Sequence, residues 1–586
     1  MVRTLAAVSD PDPSFSSSPL AWMRALAPRT RGGLLFLWVL ATALNLSKPF
    51  HVDDIYYLEE AVWIAEHPTR PMSGEMYWIT DQPEPFHLSN NSPVLIPYLQ
   101  AAVIAAVGVS PLALHALTAL FAALAIVFFY ALAERHARAH ALVLTGVFVL
   151  SPSFIAEQNI MLDIPLVASW LLFFLLFEDG SEDRHWWRAA AVAAVAVMIK
   201  FTSFALLFFL VIEALRTRRW RGLYALAVPG AVLAAWSTWN YLEYGGIQIL
   251  ARPLEYGAPQ VASGRLEVPG LRYLTMLGIV AGRGALWIVT LGGILTGYYA
   301  LVPQLFSGAG TRKLAVGAAV GFAVLLPIGR YLVDIGPETL GAHQLEGEPL
   351  VHTALRGLFF FVGLVFAVIA VRRARSGEGD DVRFLIWIVC ALVFVVGLSP
   401  FVAARHVLVA FPAVLLLVAR SPDVRIAGRE RGMVGIAAVL GVWLAISDHR
   451  VAAVYRDAAE RLRAEVAAPA REAGHTTYFV GHWGWQFYGK EAGFTPYVPE
   501  EVVLLPGDVL IEPEGVAAQP ITEEDRARLV LVDTVVVRSG PSDILRSLVD
   551  REGLYVVWVG LPWSLRVEPL ERFFVYEVGG ARLAER

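Results

Sequence analysis

Cysteine is nearly absent from this chain. Only Cys390 occurs in 586 residues, so neither an intramolecular disulfide nor a cysteine-cluster metal site can form. Charge is scarce as well: 17% of residues are charged and 56% are hydrophobic, where a soluble domain carries about a quarter charged residues. The net charge of -5 points to no particular partner. No basic stretch interleaves with aromatics in the manner of a nucleic-acid binder, and no repeat of solenoid length is visible. What the chain has in abundance is apolar runs of spanning or near-spanning length, the mark of a polytopic membrane protein.

The first 31 residues are polar and hold Pro, Ser and several Arg. They read as a cytoplasmic tail (1–32) ahead of an uncleaved anchor. Arg24, Arg29 and Arg31 precede the first run, 33–47, which sets the N-terminus inside by the positive-inside rule. Residues 48–110 form a long first outer loop. Within it the apolar segment 93–107 is read as lying at the surface, because only then do all later arginine-rich connections fall inside. Further spans are expected at 111–133, 141–154, 164–177, 189–199, 202–215, 222–241, 284–303, 314–333, 353–371, 383–398, 406–419 and 432–447. The expected architecture is an all-α polytopic membrane domain, 33–447, of about thirteen transmembrane helices. From Asp448 the composition shifts. A helix at 450–472, β-like runs at 476–481, 508–511, 529–537, 555–559 and 573–578, and a helix at 543–551 predict a soluble C-terminal α/β domain, 448–586, on the outer face.

The stretch around which the chain is organised is Lys48-Pro-Phe-His-Val-Asp53-Asp54-Ile-Tyr56-Tyr57-Leu-Glu59-Glu60. It sets two carboxylates where a membrane helix emerges. Positions 53, 57, 60 and 64 share one helical face, so an acid, a phenol and a second acid line up there. One of the two aspartates also suits a helix N-cap. Asp163 closes the second outer loop, Lys200 sits between apolar neighbours, and Arg405 with His406 opens a late span. Ionisable groups at membrane depth are costly, so each is a candidate for function. Each also has a plainer role: Asp163 as an N-cap before Pro165, Lys200 snorkelling to the interface, Arg405 anchoring a helix end. His51, His67 and His87 with Asp53 and Asp54 could bind a divalent metal, though their spacing matches no metal motif. Trp483, Trp485 and Tyr488 are core or rim aromatics, or a platform for a sugar.

Acids and bases gathered at one membrane face suit transfer of a sugar from a lipid phosphate. The phosphate leaves without protonation. A carboxylate must take the acceptor's proton, and cations must hold the departing phosphate.

Four motifs carry a family resemblance. They are His51-Val-Asp53-Asp54-Ile-Tyr56-Tyr57; Asn90-Asn91-Ser92-Pro93 with Gly108-Val-Ser-Pro111; Ile160-Met-Leu-Asp163-Ile-Pro165 followed by Lys200-Phe-Thr; and Arg405-His406 with Pro412. In order and spacing the set resembles the type-C membrane glycosyltransferases (GT-C) that use polyprenyl-phosphate sugars, in the branch of the lipid A aminoarabinose transferases and protein O-mannosyltransferases. This chain has Asn-Ser-Pro where relatives carry His-Pro-Pro, and His406 where they carry Tyr. The resemblance implies a thirteen-span fold with surface helices in the first loop and an inverting transfer on the periplasmic side of the inner membrane. The acceptor would be a lipid, a glycan or a protein. Asp53 or Asp54 would be the base and Asp163 would orient sugar or acceptor. Lys200 and Arg405, with Arg252 and Arg283 in reserve, would neutralise the phosphate. Tyr57, Glu60, His87 and His406 would line the substrate site. No cofactor is required, and a divalent metal is allowed. Two rivals come from other classes. A flippase for a lipid-linked sugar would set paired charges near the midplane, and a non-catalytic assembly subunit would tolerate loss of Asp53 and Asp54.

Overall fold

The computed structural model describes residues 19–77, 82–89, 92–178, 184–249, 269–306, 350–377, 379–397, 399, 402–549, 552–555 and 561–579, with isolated positions between 312 and 320. Apolar runs become helices, and proline and glycine punctuate them. α1 is Pro28–Ala43 and α2 is Asp54–Glu66. α3, Leu95–Val107, ends at Gly108 with φ 77°, the left-handed conformation glycine adopts without strain. At about 1.5 Å per residue it is near 20 Å long, short of a bilayer's hydrocarbon. It packs along α2, sharing a cluster in which Ile55, Leu58, Val94 and Ala101 are buried.

α4, Pro111–Ala137, starts with proline in its first turn and with the Ser110 hydroxyl accepting from the Ala113 N–H at 3.4 Å. A short turn at Arg138–His140 returns the chain as α5, Ala141–Val149. The two fold back on each other: the rings of Phe129 and Phe148 lie 4.7 Å apart. α6, Asp163–Glu178, is buried on nearly every face, and α7, Arg184–Ile199, turns Ala189, Ala190, Ala193 and Ala196 toward the interior. Small residues let neighbouring backbones close in. α8, Phe204–Thr217, and α9, Ala227–Tyr244, follow. α10 is Pro269–Ile294 and α11 is Leu350–Ser376. They cross at two glycines: a Cβ on Gly292 would lie 1.7 Å from the Phe359 carbonyl oxygen, and one on Gly363 1.9 Å from that of Ile288. α12, Gly379–Gly397, leads to α13, Ala404–Leu408, and α14, Phe411–Ala419.

Among the described residues four helical stretches are long and apolar enough to cross a membrane by length and composition, or five when one bent pair counts as a span. The bent pair corrects the expected span 284–303: the axis turns by 78° between Val280–Ile294 and Thr296–Leu305. The expected span 406–419 is likewise broken, with Pro412 in the first turn of α14. Proline lacks the N–H that would continue the ladder. The expected span 314–333 falls almost wholly outside the described residues.

α15 runs unbroken from Glu430 to Leu462, so the compositional change at Asp448 lies inside one helix. Beyond it, β1 (Thr477–Phe479), α16 (Trp483–Glu491), β2 (Thr495–Pro496), β3 (Val509–Pro513), β4 (Leu529–Val537) and β5 (Glu571–Val578) build a five-stranded sheet in the order β2-β1-β3-β5-β4. β1 is parallel to both its neighbours, and β5 is antiparallel to both of its own, with Phe573 opposite Pro513 and Val535. Trp485 is fully buried and packs 4.9 Å from the Phe573 ring, so it belongs to the core. The helix expected at 543–551 is absent; short strand pairs at Leu545–Arg546 and Leu548–Val549 stand there. Its acidic start and apolar middle suit either form, and pairing with Ser564–Leu565 and Glu552–Gly553 selected strand. Of the run 555–559, only Tyr555 is described.

Candidate active site

The first loop and three helix starts meet at one place. Asp53 sits at the N-cap of α2, yet its side chain makes no capping bond. It accepts instead from Arg405 Nη2 at 2.8 Å. Arg405 Nε lies 3.9 Å from Asp163 Oδ2, and Lys200 Nζ donates to Asp163 Oδ1 at 2.9 Å. Four residues far apart in sequence thus form one chain of alternating charge: Asp53, Arg405, Asp163, Lys200. Local structure explains their presence. Lys200 occupies an extended break between α7 and the short turn Phe201–Ser203, Asp163 is the first residue of α6, and Arg405 lies in the first turn of α13. Broken helix ends bring charged side chains to one level. Arg405 and Asp163 are almost fully enclosed, at 7% and 6% side-chain exposure, while Asp53 keeps 29%. The solvent-facing end of the chain is therefore a carboxylate.

Asp54 differs from its neighbour. It is fully buried, and its two oxygens accept from the backbone N–H groups of His51 at 3.1 Å and Ile160 at 3.0 Å. It stitches the first loop to the second. Burial raises its carboxyl to about 7, against the opposing pull of Lys48 and of the two N–H groups.

Tyr57 stands one turn after Asp53. Burial, and then the carboxylates of Asp53 and Asp163, push its phenol upward, so it remains a neutral donor. Glu60 is buried one turn further on. His406 is buried beside Arg405 and interacts electrostatically with Asp163. His87 lies elsewhere, stacked on the Tyr244 ring at 5.0 Å. Arg283 reaches the Val396 carbonyl at the end of α12, at 3.3 Å. Arg252 lies outside the described residues. His67 stacks on Trp63 at 3.9 Å. Among the described residues no three His, Cys, Asp or Glu side chains are grouped so as to hold a metal ion.

A second cluster escaped sequence reasoning. Lys48 is fully buried. It donates to the Ala156 carbonyl at 3.0 Å, to Asn159 Oδ1 at 2.6 Å, and to Asp448 Oδ2. Asp448 is also bonded by the Tyr555 hydroxyl at 2.8 Å and the Ser547 hydroxyl at 2.5 Å. Asn159 donates to the Tyr555 oxygen at 2.9 Å. His51 completes the group 3.4 Å from Asp448; burial lowers its pKa, so the contact is that of a neutral imidazole. Lys48 opened the motif stretch and Asp448 closed a span, and an ionisable residue at each of two span ends was the available signal. Between the clusters lies Glu157, 4% exposed, neither of whose oxygens has a hydrogen-bond partner among the described residues.

Residues 91–241 match the family model of dolichyl-phosphate-mannose-protein mannosyltransferases. The match is to a glycosyltransferase family. It spans about a quarter of the 586 residues and includes Asp163, Lys200 and Glu157. It agrees with the GT-C resemblance drawn from the motifs, which links the chain to membrane enzymes using polyprenyl-phosphate donors. No curated protein is matched. Among solved structures, ArnT from Cupriavidus metallidurans bound to undecaprenyl phosphate is similar at 14% identity over 95% of this chain and 98% of that one, with a TM-score of 0.40. The oligosaccharyltransferase AglB from Archaeoglobus fulgidus, in complex with an inhibitory peptide and a dolichol-phosphate, is similar at 12% identity over 80% of this chain and 64% of that one, with a TM-score of 0.44.

Proposed function

We propose that the protein is an integral-membrane glycosyltransferase. It moves a sugar from a polyprenyl-phosphate donor to a lipid, glycan or protein acceptor at the outer face of the inner membrane. The observation that carries this reading is the charge chain Asp53–Arg405–Asp163–Lys200 at the ends of apolar helices, two members of which fall within the glycosyltransferase match.

In this reading Asp53 is the base. It is the exposed carboxylate of the charge chain, and Arg405 Nη2 holds it in place at 2.8 Å. It takes the proton of the acceptor hydroxyl as the acceptor oxygen attacks the anomeric carbon. The bond from that carbon to the phosphate oxygen breaks on the opposite face. Its electron pair leaves with the polyprenyl phosphate, and configuration inverts. Lys200 and Arg405 stabilise the charge that develops on the phosphate. Asp163 holds both cations in place and orients the sugar. Tyr57, Glu60 and His406 line the site. The N-terminus inside, about thirteen spans and the sheet region outside complete the arrangement, and no metal is needed for these steps.

The test is transfer from radiolabelled polyprenyl-phosphate sugars by membranes holding the wild type, Asp163→Asn or Lys200→Gln. Transfer by the wild type with a loss of about a hundredfold or more in each variant, at equal protein level, is the expected result. Undiminished transfer by both variants would overturn the site assignment.

A further inference from the structure

Glu157 has no part in the steps above, yet it is the least satisfied carboxyl in the region. It lies in the second loop between α5 and α6, 4% exposed, and neither oxygen has a hydrogen-bond partner among the described residues. The charged and titratable groups around it are Arg405 and Asp163 on one side, Asp448 and Lys48 on the other, with Tyr555 beside them. Two of these are acids already matched to cations. Asp53 and Asp163 balance Arg405 and Lys200, and Asp448 balances Lys48. The two clusters are neutral without Glu157.

An ionised Glu157 would add a buried charge with no donor directed at it, an arrangement proteins avoid by neutralising the group. Burial does raise this carboxyl well above its ordinary range, against the attraction of Arg405. The donor phosphate brings one negative charge to the same cations. A second negative charge from Glu157 would compete with it for Arg405.

We propose that Glu157 is a positioning residue for the anionic donor: it holds a proton, so that Arg405 and Lys200 meet the donor phosphate with no third carboxylate in competition. This rests on the donor reading given above. It makes donor binding and the Glu157 proton mutually dependent. Where the ionised form excludes donor, apparent affinity falls tenfold for each pH unit above the Glu157 pKa.

The experiment measures binding of a radiolabelled polyprenyl methyl phosphate to the purified full-length protein between pH 5 and 9.5. This probe is a diester and has no proton to lose across the range. The wild type is compared with Glu157→Gln, which keeps the shape of the protonated acid. The expected result is a wild-type affinity that drops steeply at alkaline pH and a flattened profile in the variant, with binding at least as tight at the alkaline end. Asp54 also titrates in this range and is unchanged in the variant, so the difference isolates Glu157. A flat wild-type profile overturns the proposal whether or not the variant folds. So does an equal slope in both proteins, or loss of binding by a folded variant at all pH values. A wild type that binds the probe at no pH overturns the donor reading itself, and the proposal with it.

Discussion

The adjacent carboxylates of the first loop make opposite predictions. Asp53→Asn removes the proposed base and leaves the shape. General-base catalysis contributes about 10²–10⁴ in rate, so transfer should fall by that factor. Stability should fall too, because the enclosed Arg405 loses its 2.8 Å partner and keeps Asp163 at 3.9 Å. With Asp53 29% exposed, the cost should stay below the ~3–5 kcal/mol of breaking a fully buried pair. Asp54→Asn replaces one of two accepting oxygens with an NH₂ group. That group would face either the His51 or the Ile160 N–H, now 3.1 and 3.0 Å away. One buried N–H is orphaned, at a cost of about 1–3 kcal/mol. The protein should melt lower while the transfer rate per folded molecule stays within about threefold. The assay pairs sugar transfer in membranes with thermal melting of the detergent-solubilised protein. Rate loss confined to Asp54→Asn, with Asp53→Asn fully active, would refute the reasoning.

Three further outcomes follow from the packing. Lys48→Met or Asp448→Leu alone strands a fully buried charge and should cost about 3–5 kcal/mol; the double variant should melt higher than either single one. Gly292→Ala drives a methyl group into the Phe359 carbonyl. The backbone of α11 cannot yield as a side chain would, so α10 and α11 must part, at about 1–3 kcal/mol or more, read as lost monodisperse protein in detergent. Glu571 is buried and its carboxyl is raised to about 7, chiefly by burial and against the N–H groups of Gly515, Arg572 and Glu514. A raised carboxyl favours the folded state below its unfolded value near 4.5, and that contribution is lost as pH climbs to about 7, in all about 3 kcal/mol. Melting temperature should therefore fall from pH 5 to 8, less steeply in Glu571→Gln; identical slopes would refute this.

How much could be read beforehand depended on contrast. Asp163, Lys200 and Arg405 stand out because each interrupts apolar sequence at a helix boundary, and desolvation is costly enough to demand partners. Composition cannot separate Asp53 from Asp54, because their difference lies in which one finds backbone N–H groups across the loop. In the sequence Asp448 marks only a change of composition. Its partners, Lys48, Ser547 and Tyr555, come from both ends of the chain, and no local pattern announces a contact across 400 residues. The break at Leu295 was hidden for another reason. No charged residue or proline marks it in Leu291-Gly-Gly-Ile-Leu-Thr-Gly297, and hydropathy averages over a bend that packing imposes.

The buried tie from Lys48 through Asp448 to Tyr555 also has a biosynthetic side. Chains elongate at about 5–20 residues per second, so roughly 20–80 s pass between synthesis of the lysine and of Asp448, 400 residues later. Through that interval the first loop has emerged, its ammonium group has no carboxylate to meet, and α15 has not been made. Something else must keep Lys48 solvated: water, lipid headgroups or the insertion machinery. The site can close only after nearly the whole polypeptide has been delivered. Slowed synthesis of the last hundred residues should therefore expose this chain to quality control more than its early helices would lead one to expect.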